Sequence, residues 1–234
     1  MPFRLHAEYG LGGYLRGFFF CQPYVIIFPM KNLVILAGGK SIRMGKDKAF
    51  LHISDETFIE RLYVSGRKSF DRVLISTDTK EHAALIVSVL PLEEQNKIEI
   101  ITDRYPDRGP LGALCTIFEE TDLDRFAVVP VDVPNASMDF LLALYKKLDE
   151  PAKVSAAAKV KSIIIAESDH EKYEPLIGVY DRDAYPLLKE ALDRNDNKVI
   201  RVITGYFDAV KLEEAQKKAF RNVNTKTDYK ELEQ

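Results

Sequence analysis

The chain has 234 residues, enough for one sizeable α/β domain and too few for two full domains of ordinary size. Its net charge of −3 and hydrophobic content of 46% are ordinary for a soluble globular protein, and they exclude a general nucleic-acid binder, which carries a basic surplus. The two cysteines and four histidines show neither a CxxC pair nor the spacing of a zinc site. We therefore expect no disulfide framework and a reducing, cytoplasmic environment.

Residues 1–29 differ in composition from the rest of the chain, because they contain no lysine and four of the twelve glycines. Their apolar run, Phe18–Phe28, is too short for a membrane-spanning helix and is broken by Pro23. A secretory signal needs a small-residue cleavage site, and none precedes Met30. We interpret residues 1–29 as an extension outside the fold or a mis-called start, do not expect a membrane role, and expect the folded domain over residues 30–234.

From residue 31 onward, apolar runs suited to buried parallel strands alternate with segments of helical spacing. The predicted strands cover residues 32–37, 72–77, 97–102 and 125–131, and the predicted helices cover 57–68, 80–90, 111–120 and 138–148. The C-terminal third is less regular, with predicted strands at 153–168 and 173–181 and a predicted helix at 182–194. The alternation predicts a single three-layer α/β fold, a Rossmann-like doubly wound sheet with right-handed crossovers.

Polar residues follow the predicted strands directly, at the places where ligands bind in such sheets. The carboxyl ends of parallel strands meet at one edge, and their loops converge there on a crevice. Gly38-Gly39, Asp78, Asp103 and Asp132 each follow a predicted strand, so we expect them to face one crevice. Asp78 fits equally well as a cap of the helix that follows it.

The first of these loops, "LAGGKSIRMGKDKAFL", combines glycine with positive charge. A glycine pair after a buried strand lets backbone N–H groups approach an anion closely. The spacing excludes a Walker A loop, because five residues separate Gly39 from Gly45, and it excludes the GxGxxG fingerprint as well. Arg43 and Lys48, with Lys40 and Lys46 near them in sequence, are suited to neutralise a polyphosphate. We therefore expect this loop to bind phosphate.

Two further carboxylates suit a nucleotide site. Asp132, in "VVPVDVPN", follows a buried strand and is placed to hold Mg²⁺ against phosphate oxygens. It lies too far upstream to cap the helix at residue 138, for which Asn135 or Ser137 fits better. Asp103 is placed to accept hydrogen bonds from a base or ribose, whereas Asp107 fits better as a turn residue.

These residues resemble the signature of the molybdenum cofactor guanylyltransferases, the MobA-like nucleotidyltransferases, which reads LAGGxSxRMGxDKxxL. The resemblance covers about residues 31–234. It continues through the segments "ITDRYPDRGPL", "VVPVDVPN", "YEPLIGVYDRDAYPLLKEALDR" and "FRNVNTKTDYKEL". The chain departs from the pattern at Ala113, where the family often has a second glycine, and at Val131.

The resemblance implies a GT-A-like nucleotidyltransferase fold and transfer of GMP from Mg-GTP to molybdopterin or its molybdenum-loaded form, with release of pyrophosphate. It implies contacts to the guanine nucleotide from Leu36, Ala37, Gly38, Gly39, Lys48 and Asp103, and Mg²⁺ on Asp132. Arg43, Lys48 and the Mg²⁺ on Asp132 would stabilise the transition state. Asn222 and Asn224 would lie toward the molybdopterin, although the same segment fits equally well as a turn into the final helix. Other cofactor-maturation proteins are possible partners.

Three alternatives stay open. Cytidylyltransferase relatives tend to have LAAG where this chain has Leu36 to Gly39. The two motifs differ by one glycine, and the preference for GTP over CTP as the substrate rests on that difference. Sugar-phosphate enzymes usually carry proline before the motif lysine, where this chain has Asp47-Lys48, and another phosphorylated acceptor is therefore less favoured. A non-catalytic GTP-binding carrier would not need both Lys48 and Asp132.

Overall fold

The computed structural model of the chain describes residues 30–39, 47–150, 162–169 and 172–232, and Lys31–Gln234 belong to one unit. The strands of the described residues are β1 Asn32–Leu36, β2 His52–Ile53, β3 Glu56–Thr57, β4 Arg72–Thr77, β5 Glu99–Thr102, β6 Arg125–Pro130, β7 Ile163–Asp169, β8 Lys172–Asp181 and β9 Phe207–Lys211. The helices are α1 Phe58–Ser69, α2 Lys80–Val89, α3 Gly109–Glu120, α4 Met138–Asp149, α5 Tyr185–Asp193, α6 Val199–Ile203, α7 Glu214–Ala219 and α8 Lys226–Leu232. Short 3-10 turns cover Lys48–Phe50 and Arg182–Ala184.

The main sheet has the strand order β5-β4-β1-β6-β8-β7-β9. The first four of these strands are parallel, with Val34 of β1 opposite Leu74 of β4 and Val128 of β6. β8 runs antiparallel to β6 and to β7, while β9 is parallel to β7. The reversal follows from the chain itself, since only two residues separate β7 from β8, too few for a parallel crossover. The predicted α/β fold with a mostly parallel central sheet is confirmed.

Strand β1 shows why the fold has three layers. Successive side chains of a strand point to opposite faces, so a strand that is apolar throughout contributes to two cores. Leu33 and Ile35 pack in the core that α1, α2 and α4 cover, whereas Val34 and Leu36 pack in the core under α3, α5 and α6. Leu33, Val34 and Ile35 are fully buried. Helices therefore flank both faces of the sheet.

The predicted strands and helices before residue 150 are all present, with ends within two residues of the prediction. The helix predicted over 182–194 begins as a 3-10 turn, and α5 proper starts at Tyr185 because Pro186 fits only its first turn. β7 confirms the end of the strand predicted over 153–168, whereas residues 153–161 lie outside the described residues. The sequence did not predict the β2–β3 hairpin, α6, β9 or α7.

None of the helices in the described part of the chain combines the length and apolarity that crossing a bilayer requires. The interpretation of residues 1–29 falls outside the described residues and stays a prediction.

Candidate active site

The loops that follow β1, β4, β5 and β6 meet at one edge of the sheet, as predicted. Backbone hydrogen bonds extend the parallel pairing one residue past the strands. Ala37 donates to the carbonyl of Ser76 at 2.8 Å and Asp103 donates to Thr77 at 2.8 Å. Val131 donates to the carbonyl of Leu36 at 2.9 Å. These bonds align the starts of the four loops, so the residues just beyond them share one crevice.

The glycine pair lies at this edge. Leu36 and Ala37 bury their side chains in the core, while Gly38 and Gly39 are exposed. A Cβ on Gly38 would lie 3.1 Å from the backbone nitrogen of Asp78, so glycine lets the first loop pack closely on the second. Gly39 has a φ of +139°, which side-chain-bearing residues rarely adopt. The predicted contributions of these four residues to nucleotide binding would therefore come largely through the backbone.

Lys48, Asp132 and Asn224 form the centre of the crevice. The Lys48 Nζ lies 3.0 Å from Asp132 Oδ2 and donates to Asn224 Oδ1 at 2.7 Å, although Asn224 lies 176 positions further along the chain than Lys48. The Lys48 and Asp132 side chains are 16% and 22% exposed. The ammonium is thus held between two oxygen acceptors while it remains accessible to a ligand. Arg43, which we predicted to act beside Lys48, lies outside the described residues.

The position of Asn224 follows from its neighbours. The Val223 N–H donates to the carbonyl of Asp132 at 2.8 Å, which ties the C-terminal segment to the loop after β6. Thr225 then begins α8, since the Asp228 N–H donates to Thr225 Oγ1 at 3.1 Å and the Thr225 N–H donates to Asp228 Oδ2 at 2.8 Å. The segment is therefore both a turn into the final helix and a wall of the crevice.

A polar cavity of about 360 Å³ adjoins this centre through Asn224. Its lining includes the side chains of Lys172, Lys217, Arg221, Asn222, Asn224 and Asp228. Three of these side chains are cationic, and two are the asparagines that the sequence placed on the acceptor side. Each cation is paired with a carboxylate of the same lining: Lys172 with Glu174 at 3.7 Å, Lys217 with Asp169 at 2.7 Å and Arg221 with Asp228 at 3.6 Å. The cavity is therefore balanced in charge and offers both ionic and neutral hydrogen-bonding groups to a polar ligand.

Asp132 carries the feature that suits it to a metal. Its Oδ1 is buried and receives no hydrogen bond from any described residue, whereas its Oδ2 pairs with Lys48. A buried carboxylate oxygen without a partner is unfavourable unless a ligand completes it. The described residues hold no group of three or more His, Cys, Asp or Glu side chains arranged around a metal. Mg²⁺ fits this arrangement, since it accepts one carboxylate together with phosphate oxygens and water.

Asp103 is fixed by the start of the loop after β5. Its Oδ1 accepts hydrogen bonds from the Tyr105 N–H at 2.8 Å and from Thr116 Oγ1 at 2.9 Å. Burial raises the pKa of Asp103, and the nearby charge of Asp78 raises it further, against the opposing effect of the two hydrogen bonds. The remaining oxygen, Oδ2, has no donor among the described residues, which leaves it available to a ligand.

The segment "STDTKE" does contain the cap of α2, but the capping residue is Thr79 and not Asp78, since Thr79 Oγ1 accepts a hydrogen bond from the His82 N–H at 3.1 Å. Asp78 Oδ1 instead lies 2.9 Å from Nδ1 of His82. Nε2 of His82 lies 3.0 Å from Oδ2 of Asp47, next to Lys48. No role for His82 was predicted from the sequence, although the spacing of four residues between Asp78 and His82 at a helix start was a signal for this contact.

Comparison with known proteins identifies the family of the chain. The family described as "MobA-like NTP transferase domain" matches residues 33–211. A probable molybdenum cofactor guanylyltransferase of Carboxydothermus hydrogenoformans is 29% identical over 87% of this chain and 96% of its own length. The corresponding probable guanylyltransferase of Clostridium perfringens strain 13 is 26% identical over 86% of this chain and 96% of its own length.

Among solved structures, the molybdopterin-guanine dinucleotide biosynthesis protein A of Archaeoglobus fulgidus superposes with a TM-score of 0.68 at 20% identity. The superposition covers 86% of this chain and 96% of that protein, and at this identity it bears on the fold alone. The resemblance found in the glycine-and-lysine loop therefore extends over most of the chain. On the extent of the family match, the chain belongs to the MobA-like NTP transferase family and is a nucleotidyltransferase.

Proposed function

We propose that the protein transfers GMP from Mg-GTP to molybdopterin or its molybdenum-loaded form, releases pyrophosphate, and so makes the guanine dinucleotide form of the cofactor. The names of the relatives support the chemistry of the acceptor and the nucleotide. The single structural observation that carries the proposal is the Lys48–Asp132 pair, in which the carboxylate keeps one buried oxygen unpaired at the edge where the glycine loop ends.

The reaction needs no catalytic serine, cysteine or histidine. The acceptor's own phosphate, whose second pKa of about 6 leaves it mostly ionised at neutral pH, attacks the α-phosphorus of GTP. A new P–O bond forms there while the bond from the α-phosphorus to the bridging oxygen breaks, and the electron pair leaves with pyrophosphate. Such transfers depend on positioning and on neutralising charge. Lys48 donates hydrogen bonds to the phosphates, and Arg43 adds a second cation.

The nucleotide occupies the side of the crevice formed by β1, β4 and β5. Backbone groups of Leu36 to Gly39 face the phosphates and base, and Oδ2 of Asp103 accepts a hydrogen bond from the base or ribose. Asp132 holds Mg²⁺ through the oxygen that is unpaired in the described structure, and the ion, when bound, neutralises charge on the phosphates.

The acceptor enters from the cavity beside Asn224. Asn222 and Asn224 supply amide groups that can pair with a pterin ring. Lys172, Lys217 and Arg221 are each paired with a carboxylate of the lining, and an anionic acceptor would compete with these carboxylates for the three cations. Since Asn224 also contacts Lys48, an acceptor bound here has its phosphate within reach of the same ammonium. A cofactor-maturation protein would deliver the acceptor to this open side.

Thermal unfolding with GTP, CTP, ATP or UTP in the presence of Mg²⁺ tests the nucleotide, because a ligand that binds the native state raises the Tm. We expect a shift with GTP alone, followed by pyrophosphate release when molybdopterin is added. A rise in Tm with CTP alone would contradict the use of GTP and would indicate transfer of CMP instead. A GTP shift without pyrophosphate release would favour a carrier. Lys68→Ala, an exposed lysine near the end of α1, is the control for variants of Lys48.

A further inference from the structure

His82 bridges two loops of the crevice. It lies in the first turn of α2 and is only 8% exposed. Its Nδ1 is 2.9 Å from Oδ1 of Asp78, which follows β4, and its Nε2 is 3.0 Å from Oδ2 of Asp47, which precedes Lys48. The contact with Asp47 is an ion pair that does not meet hydrogen-bond geometry, so it acts mainly through charge.

The bridge requires a protonated ring. An ionised carboxylate accepts hydrogen bonds and donates none, and a neutral imidazole carries a proton on one nitrogen only. With carboxylates at both ring nitrogens, a neutral His82 would turn a lone pair toward one of them. The contact with the Asp47 carboxylate raises the pKa of His82 most, Asp78 raises it further, and burial opposes both. The remaining neighbour with a ring contact among the described residues is Phe50, at 5.8 Å between centroids.

Asp47 links His82 to the turn that contains Lys48. The Asp47 Oδ1 accepts a hydrogen bond from the Ala49 N–H at 2.9 Å and so caps the 3-10 turn that contains Lys48. Its other oxygen, Oδ2, faces His82. Ala49 is fully buried, so the turn cannot rotate freely on the surface. The direction in which Lys48 leaves this turn therefore depends on where the Asp47 carboxylate is held.

Both ends of the glycine-and-lysine loop also meet at one residue. Gly38 packs on the backbone of Asp78, and Asp47 reaches the Asp78 side chain through His82. We propose that His82 is a positioning residue for nucleotidyl transfer, which clamps Asp47 to Asp78 and thereby presents Lys48 to Asp132 and the bound phosphates. The catalytic part of this inference rests on the proposed function.

A double-mutant cycle tests whether His82 acts through Lys48. We expect His82→Ala to lower kcat by about 100-fold, the effect that a misplacement of about 1 Å can have, with a smaller change in the KM for GTP. In a Lys48→Ala background the same change should cost less than about threefold, because the group it positions is already absent. His82→Gln, which keeps a donor for one carboxylate, should fall between wild type and His82→Ala. Equal losses in both backgrounds would overturn the proposal.

His52→Gln is the matched control, since His52 is an exposed histidine on the hairpin that follows the same turn. It should leave kcat and KM unchanged. A loss of activity in this variant equal to that in His82→Gln would show a general effect of removing histidine from this region, and would count against His82.

A second measurement does not depend on the reaction. The Ala49 amide proton is held by Asp47, so its hydrogen exchange should become at least about tenfold faster in His82→Ala and stay unchanged in His52→Gln, with the β1 amides as an internal standard. Unchanged exchange at Ala49 overturns the clamp. If wild-type protein shows this difference from His82→Ala but transfers no GMP, the clamp stands and the proposed function fails.

Discussion

Replacing Asp132 by asparagine separates binding of the metal from stability of the fold. The substitution keeps the shape of the side chain and removes its charge. The ion pair with Lys48 is partly exposed, at 16% and 22%, and such a pair contributes at most about 1 kcal/mol. Part of this loss is offset, because the variant no longer buries the charged carboxylate whose Oδ1 has no partner among the described residues. Without ligands, we therefore expect the Tm to change by less than about 4 °C.

The reaction should respond very differently. Removing one preorganised group that stabilises transition-state charge typically lowers kcat by about 100- to 1000-fold, and we expect a loss of this size in Asp132→Asn. Pyrophosphate release measured against Mg²⁺ concentration should also show a higher metal requirement. Asp124→Asn is the matched control, because Asp124 is 95% exposed and lies just before the opposite end of β6. Wild-type turnover with an unchanged Mg²⁺ dependence in Asp132→Asn would refute the metal role.

Three further changes test other parts of the site. Lys48→Ala should lower the rate of GMP transfer, measured as pyrophosphate release, by about 100- to 1000-fold, which leaves a measurable residual rate. Its Tm should stay within about 4 °C of wild type, because Lys48 is held by partly exposed groups. The stability contributed by His82 should be complete below its ordinary pKa of 6.5 and be lost as pH rises through its raised folded-state pKa, a decline that thermal unfolding should show in wild type and not in His82→Gln. Asp47, whose pKa is lowered, contributes in the opposite direction, as stability lost when the pH falls below 3.8. Gly38→Ala should weaken GTP binding, measured by calorimetry, because its Cβ would press on the backbone of Asp78 at 3.1 Å.

Each of these tests has a comparison within the chain. Activity lost equally in Lys68→Ala would remove the special role of Lys48. A stability profile of the wild-type protein that stays flat as the pH rises above 6.5 would contradict the protonated bridge at His82. Gly66→Ala is the control for Gly38→Ala, since its Cβ would lie 2.6 Å from Leu33 in the core and should lower the Tm without changing GTP affinity. A lower Tm with unchanged GTP affinity in Gly38→Ala would mean that Gly38 serves packing alone.

The sequence predicted the parts of the fold that local pattern determines. β1, β4 and β6 are continuous apolar runs bounded by charge, glycine or proline, so their limits were visible without any partner strand. β2 and β3 have two residues each, and β9 is a strand without a fully buried residue that depends on β7 for its hydrogen bonds. Such elements carry no periodicity of their own, because packing against the rest of the molecule creates them.

The residues of the candidate site also fall into those that local sequence pattern predicts and those that it does not. Asp103 and Asp132 were found because each ends a strand, and that position alone brings it to the crevice. Asn224 has no such signal: only the resemblance suggested a place for it, on the molybdopterin side, and its contact with Lys48 was not predicted. His82 was missed because its role depends on Asp47, a partner from a distant loop that no spacing rule connects to it.

The reversed strand β8 gives the two halves of the crevice different kinds of recognition surface. β7 and β9 end at the same edge as β6, but β8 begins there, and the two residues between β7 and β8 leave no room for a helix. The proposed acceptor side is therefore lined by individual side chains such as Lys172 and Glu174, while the nucleotide side relies on backbone geometry around Gly38. Single substitutions can thus alter acceptor preference during evolution while the nucleotide-binding half of the fold stays unchanged.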